Sequence, residues 1–135
     1  MHLTKNFSLS EFTYSDTAKK YKINNNCGVQ HANNLRNLCI YVLQPLRDYL
    51  KQPIKITSGY RCPELNKKVG GQPNSQHIDG KAADIITADL RTAFNYIKNN
   101  LPYDQLLYEY DNQGNTWIHV SYNNRQQAID NYKAK

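Results

Sequence analysis

Two histidines and one aspartate lie at positions from which they could bind one metal ion together. His77 and Asp84 belong to the stretch "SQHIDGKAADI", and His119 belongs to "WIHVS". Two imidazoles and a carboxylate can bind a catalytic zinc, which keeps its fourth position open for water. Such a site lowers the pKa of the bound water to about 7 and supplies hydroxide at neutral pH. Two histidines and an aspartate also occur together by chance, so their spacing alone leaves a purely structural role open.

The alternation of side chains along two predicted strands would place these residues on one face of a sheet. Asp84 lies in "KAADII" and His119 in "TWIHVSY", and each points away from apolar neighbours in its strand. His77 lies in the loop before the first strand, and Gly80 would let the chain turn sharply between His77 and Asp84. The sequence therefore predicts one apolar face packed on the core and an opposite face that carries the polar residues.

The other elements are predicted from periodicity, caps and turn residues. They are a capped helix from residue 8, an amphipathic helix over 30–50 that Pro45 kinks or ends, a strand over 54–57, a short helix over 62–70, a helix over 88–101, and strands over 105–110 and 116–122 joined by a hairpin. This order predicts an α+β fold with a small antiparallel sheet and helices packed on one side. Because no internal repeat or linker is present, residues 1–135 are predicted to form a single domain.

The charge and composition favour some partners and argue against others. Lysine and arginine outnumber aspartate and glutamate by 17 to 11, and the formal net charge of +6 favours anionic partners such as cell-envelope polymers. The basic residues are scattered and are not interleaved with aromatic residues, which argues against nucleic-acid binding. The three cysteines form no C-x-x-C pair, so neither a disulfide framework nor a zinc ribbon is indicated.

No segment of the sequence is typical of a signal peptide or a membrane span. The N-terminal "MHLTKNFSLSEF" has no apolar core, and no apolar run approaches roughly 18 residues. We therefore expect a protein made in the cytoplasm, which would reach an extracytoplasmic target by lysis, through a pore or with a delivered particle. A monomer is expected.

The stretch "ITSGYRCPELNKKVGGQPNSQHIDGKAADI", followed by "WIHVSY", resembles the zinc D-Ala-D-Ala carboxypeptidase family, which includes VanX-like dipeptidases and phage endolysin peptidases. The family pattern is an S-G-[YF]-R loop, then S-x-H-x-x-G-x-A-x-D, then a late strand with a histidine. The resemblance implies a Hedgehog-like zinc peptidase fold that acts on the peptide stem of peptidoglycan. It also implies that His77, Asp84 and His119 bind Zn²⁺ and that Arg61 binds and polarises a substrate carbonyl or carboxylate.

Three further residues are candidates for contacts with the substrate. Ser75 and Tyr60 are predicted to hydrogen-bond the substrate backbone. Trp117 is predicted either to form a wall of the substrate pocket or to pack in the core.

One position departs from the family pattern, so the general base must come from elsewhere. Many members carry an acid three residues before the last histidine, where this chain has Thr116. Glu109 is our candidate, because an even pairing register would bring it beside His119 on one sheet face. A carboxyl among apolar neighbours would also have a raised pKa, which suits proton transfer. Weaker candidates are Asp79, Asp104 and Asp111.

The sequence therefore predicts a zinc peptidase of the peptidoglycan stem peptide, acting as a carboxypeptidase or as an endolysin endopeptidase. The alternative is a catalytically weak or inactive module that keeps the same fold and binds the cell wall or serves in a virion. Thr116 is the feature that leaves this alternative open.

Overall fold

A five-stranded sheet with helices against one face makes up most of the fold. The computed structural model describes residues 1–123 and 127–134. In chain order, the elements are β1 (His2–Thr4), β2 (Phe7–Ser8), α1 (Leu9–Thr13), α2 (Asp16–Lys20), α3 (Val29–Leu38), a π-helical segment (Cys39–Leu43), α4 (Gln44–Leu50), β3 (Lys55–Ser58), α5 (Pro63–Lys68), β4 (Ala82–Ile86), α6 (Leu90–Asn100), β5 (Gln105–Tyr110), β6 (Thr116–Ser121) and β7 (Gln127–Lys133). No helix in these described ranges is long and apolar enough to cross a membrane.

The order of strands in the main sheet is β3-β4-β6-β5-β7. The first four strands pair antiparallel, which confirms the predicted α+β fold with its small antiparallel sheet. β7 adds a parallel strand beside β5, and β1 and β2 form a separate small hairpin. Neither β7 nor this hairpin was predicted, because their short or largely polar sequences lack a clear alternation.

The apolar side chains of the central strands face the helices, as their alternation predicted. Four side chains of β4 and β6 on this face have no exposed surface, namely Ala83, Ile85, Ile118 and Val120. They belong to one core that also contains buried residues of α1, α3, α4 and α6. Because successive side chains of a strand point to opposite faces, Asp84 and His119 lie on the other side of the sheet.

Pro45 does not end the long helix, which continues through α3, the π-helical segment and α4. Proline has no amide hydrogen, and its ring crowds the carbonyl group one turn earlier. The turn before Pro45 widens, so that the Gln44 amide donates to the Cys39 carbonyl. The wider turn accommodates the ring, and the fully buried Leu46 beyond it anchors α4 in the core. Of the two outcomes predicted for Pro45, a kink or an early end, the early end does not occur.

The N-terminal capping box helps to position the loop that follows β3. The Ser8 amide donates to Glu11 Oε2 at 2.7 Å, so α1 begins where the sequence predicted. Phe12 of α1 is fully buried, and its carbonyl accepts a hydrogen bond from the Tyr60 amide at 2.8 Å. The first helix thereby fixes the loop between β3 and α5, which carries Arg61.

Candidate active site

The structure brings together the two histidines and the aspartate that the sequence singled out. One ligand atom from each of His77, Asp84 and His119 lies within 4.8 Å of the other two. Asp84 of β4 stands directly opposite His119 of β6. The three residues are only 3%, 9% and 9% exposed, respectively. The predicted parity of the two strands is confirmed, since both residues point away from the apolar core.

A turn at Gly80 and a backbone carbonyl orient the His77 side chain. Gly80 has a φ of +74°, which favours glycine, and a Cβ atom there would lie 2.7 Å from the His31 carbonyl oxygen. The predicted sharp turn is therefore confirmed. His77 Nδ1 donates to the Gly59 carbonyl oxygen at 2.7 Å, and Nε2 lies 3.3 Å from Asp84 Oδ1. The Gly59 carbonyl thus leaves Nε2 as the nitrogen available for a metal.

The charge states of the cluster fit a bound cation. Burial lowers the pKa of His77, so its imidazole is neutral near pH 7. Burial alone would raise the pKa of Asp84, but the neighbouring His77 and His119 hold it below its usual range. A neutral Nε2 and a carboxylate oxygen are both acceptors, so they repel unless a proton or cation lies between them. With His119 Nδ1 3.0 Å from the same carboxylate oxygen, the donor set suits zinc.

Hydrogen bonds hold Arg61 at the edge of this cluster. Nε donates to Ser58 Oγ and Nη1 to Asn66 Oδ1, each at 3.1 Å. Nη2 lies 3.6 Å from Asp84 Oδ2. Gly71 leaves room for this arrangement, because a Cβ atom there would overlap Asn66 Oδ1 and lie 2.9 Å from Arg61 Nη1. Burial lowers the pKa of Arg61, against the effect of Asp84, but a guanidinium stays charged near neutral pH.

Glu109 lies on the same sheet face as the cluster. β5 and β6 pair in an even register, in which Glu109 stands opposite Trp117 and Leu107 opposite His119. The predicted even register is confirmed, but Glu109 lies diagonal to His119 and directly faces Trp117. Its Oε2 accepts a hydrogen bond from Trp117 Nε1 at 2.8 Å. Burial, and then the charge of Asp84, raise the pKa of Glu109 above its ordinary value.

The three aspartates considered as weaker candidates for the base have other surroundings. Asp111 accepts hydrogen bonds from the Gln113 and Asn115 amides, so it caps the hairpin turn between β5 and β6. Asp104 is 2% exposed, and its Oδ2 accepts a hydrogen bond from Gln76 at 2.7 Å. Asp79 is exposed and does not line the cleft over the cluster. Asp111 also lines the cleft, but the hydrogen bonds of the turn engage its carboxylate, so the surroundings of the three favour Glu109.

A cleft of about 830 Å³ opens over the cluster and contains most of the predicted site residues. Ser75 and Trp117 line it, and Ser75 Oγ accepts a hydrogen bond from the His77 amide at 3.2 Å. Tyr60 does not line it, because its ring, only 5% exposed, packs in the core against His31 with ring centroids 4.7 Å apart. The loop after β3 turns the Tyr60 ring toward α3 and away from this cleft, so its hydrogen bond to the substrate stays a prediction.

The residues that sequence reasoning missed are mainly those that hold the others in place. Ser58 and Asn66 bind the Arg61 side chain. Ser58 belongs to the S-G-Y-R stretch, which was a usable signal, whereas Asn66 is one polar residue in a short helix and gave none. Tyr132 of β7 also lines the cleft, and its strand was not predicted.

A comparison with known families agrees with this geometry. Residues 5–121 match the family model described as Peptidase M15, a span that includes His77, Asp84 and His119. The chain therefore belongs to the M15 peptidase family. M15 peptidases are zinc-dependent metallopeptidases, so the predicted resemblance to zinc D-Ala-D-Ala carboxypeptidases is confirmed at the level of the family. No curated protein matches the chain at a significant level.

Proposed function

We propose that this protein is a zinc peptidase that hydrolyses the peptide stem of peptidoglycan. The observation that carries the proposal is the buried convergence of His77, Asp84 and His119 beneath a cleft that also contains Arg61 and Glu109. Membership of the M15 family supports the peptidase chemistry. The net charge of +6 supports an anionic polymer such as the cell wall as the partner. The enzyme would act on the wall after release from a cell or delivery to one.

Zinc would be held by His77 Nε2, a carboxylate oxygen of Asp84 and a ring nitrogen of His119. When bound, zinc supplies Lewis acidity and lowers the pKa of water to about 7. The protein's part is to hold the ligands in the correct ionisation state and orientation. The Gly59 carbonyl does this for His77, and the pairing of β4 with β6 sets Asp84 beside His119.

Glu109 is proposed as the general base. Burial raises the pKa of Glu109, which makes its carboxylate a stronger base than that of an ordinary glutamate for taking a proton from the attacking water. The Trp117 Nε1 hydrogen bond holds one carboxylate oxygen, which limits the rotation of the side chain. After attack, the protonated Glu109 would pass its proton to the leaving amine.

Arg61 is proposed to bind the substrate carbonyl or a terminal carboxylate. Because Ser58 and Asn66 already fix its guanidinium group, little side-chain entropy is lost when the substrate binds. A charge held in a partly buried site also stabilises negative charge that develops on the substrate oxygen. Binding of a terminal carboxylate would make the enzyme a carboxypeptidase, whereas binding of an internal carbonyl would suit an endopeptidase. Ser75 and Trp117 are proposed as further contacts.

A second candidate function is a wall-binding or virion-structural module without strong catalysis. The observation in its favour is Thr116, which stands where many zinc D-Ala-D-Ala carboxypeptidases carry an acid. In this alternative the metal cluster would stabilise the fold, and the cleft would bind the stem peptide without cleaving it.

Digestion of defined muropeptides, followed by mass spectrometry of the products, tests the proposal. The zinc-loaded protein should release fragments cut at one peptide bond, and a chelator should stop the reaction. Zinc content is measured in parallel by elemental analysis, with His2→Ala as the control because His2 is exposed and lies outside the cluster. Full zinc loading with no product from any muropeptide would favour the binding module.

A further inference from the structure

The strand that leads into the site, β3, lies at one edge of the sheet. Residues Lys55–Ser58 pair with β4 on one side. Within residues 1–123 and 127–134, no backbone hydrogen bond joins the other side of β3 to any segment. An edge strand of this kind presents a row of amide and carbonyl groups that can pair with another extended chain.

A cavity of about 540 Å³ lies along this edge. It is lined by every residue from Lys55 to Arg61, and its other lining residues are Tyr14, Ser15, Asp16, Thr17, Leu65 and Val69. A cavity over one face of a strand would be lined mainly by alternate residues, because successive side chains point to opposite faces. The consecutive lining therefore indicates that this cavity, called the β3 groove below, follows the backbone edge of β3.

The β3 groove adjoins the cleft over the metal cluster. Arg61 and Val69 line both cavities. The chain of β3 also leads to Ser58, whose hydroxyl holds the Arg61 guanidinium. Because the Tyr60 amide already donates to the Phe12 carbonyl, a ligand along β3 would end near Ser58, whose hydroxyl holds the Arg61 side chain of the cleft.

We propose that the β3 groove binds an extended peptide segment of the substrate by strand addition to β3. The substrate in this inference rests on the proposed function. At about 3.3 Å per residue, β3 offers pairing for roughly four residues of an extended peptide, close to the length of one short peptide stem.

The charges of the β3 groove favour a peptide with acidic groups. Lys55 and Arg61 contribute two positive charges, whereas the single carboxylate, Asp16, accepts a hydrogen bond from the Tyr14 hydroxyl. A saccharide would bind differently, mainly through its ring faces and hydroxyl groups, and would not pair with the amides of β3. Protection of those amides therefore separates the two ligand classes.

The first test measures amide hydrogen exchange by NMR in the zinc-loaded protein. The probe is a synthetic stem pentapeptide, added to the Glu109→Gln protein to prevent turnover, or to the wild-type protein if the wild type proves inactive. Strand addition should slow the exchange of the outward-facing amides within Lys55–Ser58. Unchanged exchange of these amides at saturating peptide would overturn the proposal.

The second test fills the β3 groove and measures binding of a fluorescent pentapeptide by anisotropy. Thr17→Trp should weaken binding by about tenfold or more, because it would displace at least two net backbone hydrogen bonds. Lys19→Trp is the matched control, since Lys19 is an exposed residue of α2 that does not line the groove. Equal affinities of the two variants would contradict strand addition, as would competition by a disaccharide that carries no peptide.

The outcomes also separate this inference from the proposed function. Amide protection without hydrolysis by the wild-type protein would reject the peptidase and keep the β3 groove. Hydrolysis with no amide protection and no effect of Thr17→Trp would reject the groove and keep the peptidase.

Discussion

Replacement of Glu109 by glutamine is the sharpest test of the proposed mechanism. The amide has nearly the same shape as the carboxylate, and its carbonyl oxygen can still accept the hydrogen bond from Trp117 Nε1, 2.8 Å away in the wild type. The cluster of His77, Asp84 and His119 is not altered, because Glu109 is not one of its members. Turnover should therefore fall by roughly 10² to 10⁴, the range expected when a positioned general base is removed, while zinc content stays the same.

The pKa of Glu109 fixes the sign of two pH effects. Because burial raises this pKa, acidification should protonate Glu109 at a higher pH than it would protonate an ordinary glutamate. Wild-type activity should therefore begin to fall at that higher pH. The folded state also binds the Glu109 proton more tightly than the unfolded state does. As pH rises from the ordinary to the raised pKa, Glu109 therefore lowers the free energy of unfolding. The glutamine variant should lose both effects and be no less stable than the wild type near neutral pH.

The assay is steady-state hydrolysis of a defined muropeptide across pH, with zinc analysis and thermal unfolding of the same samples. Glu64→Gln is the matched control, because Glu64 is exposed on α5 and does not line the cleft. A Glu109→Gln enzyme with near-wild-type turnover and an unchanged acid limb would refute the assignment of the base.

Three further predictions concern the metal cluster and the side chains around it. Alanine at His77, Asp84 or His119 should abolish zinc binding, measured by elemental analysis, whereas His2→Ala should retain it. Full zinc content in the His119→Ala protein would exclude the site. Arg61→Lys should keep zinc but lose most activity, because lysine cannot reproduce the two-pronged guanidinium contact, and a near-wild-type rate would mean that Arg61 serves only the loop. Trp117→Phe removes the hydrogen-bond donor that lowers the pKa of Glu109, so the acid limb of the pH–rate profile should move to higher pH. An unmoved limb would contradict the role of this hydrogen bond.

The sequence alone was sufficient for the features that depend on neighbouring residues. The alternation in β4 and β6 placed Asp84 and His119 on one face, because side-chain direction in a strand follows a period of two. The capping box at Ser8 and the turn at Gly80 were also predictable, since both depend on the chemistry of a few adjacent residues. These local signals, with the S-G-Y-R and S-x-H-x-x-G-x-A-x-D patterns, led to the metal cluster and the family.

Only the tertiary structure decided how distant segments meet. The even parity of the β5–β6 pairing was predicted, but only the structure set Glu109 against Trp117, since the exact partners depend on the geometry of the hairpin. β7 pairs in parallel with β5 on the side away from β6, a contact between distant segments that no local pattern records. Asn66 lies only five positions from Arg61, but the turn into α5 decides that the two side chains meet. Tyr60 is buried because the loop after β3 turns its ring against His31, a direction that the motif did not specify. Periodicity fixes the face on which a side chain lies, whereas packing between elements fixes the neighbours that it contacts.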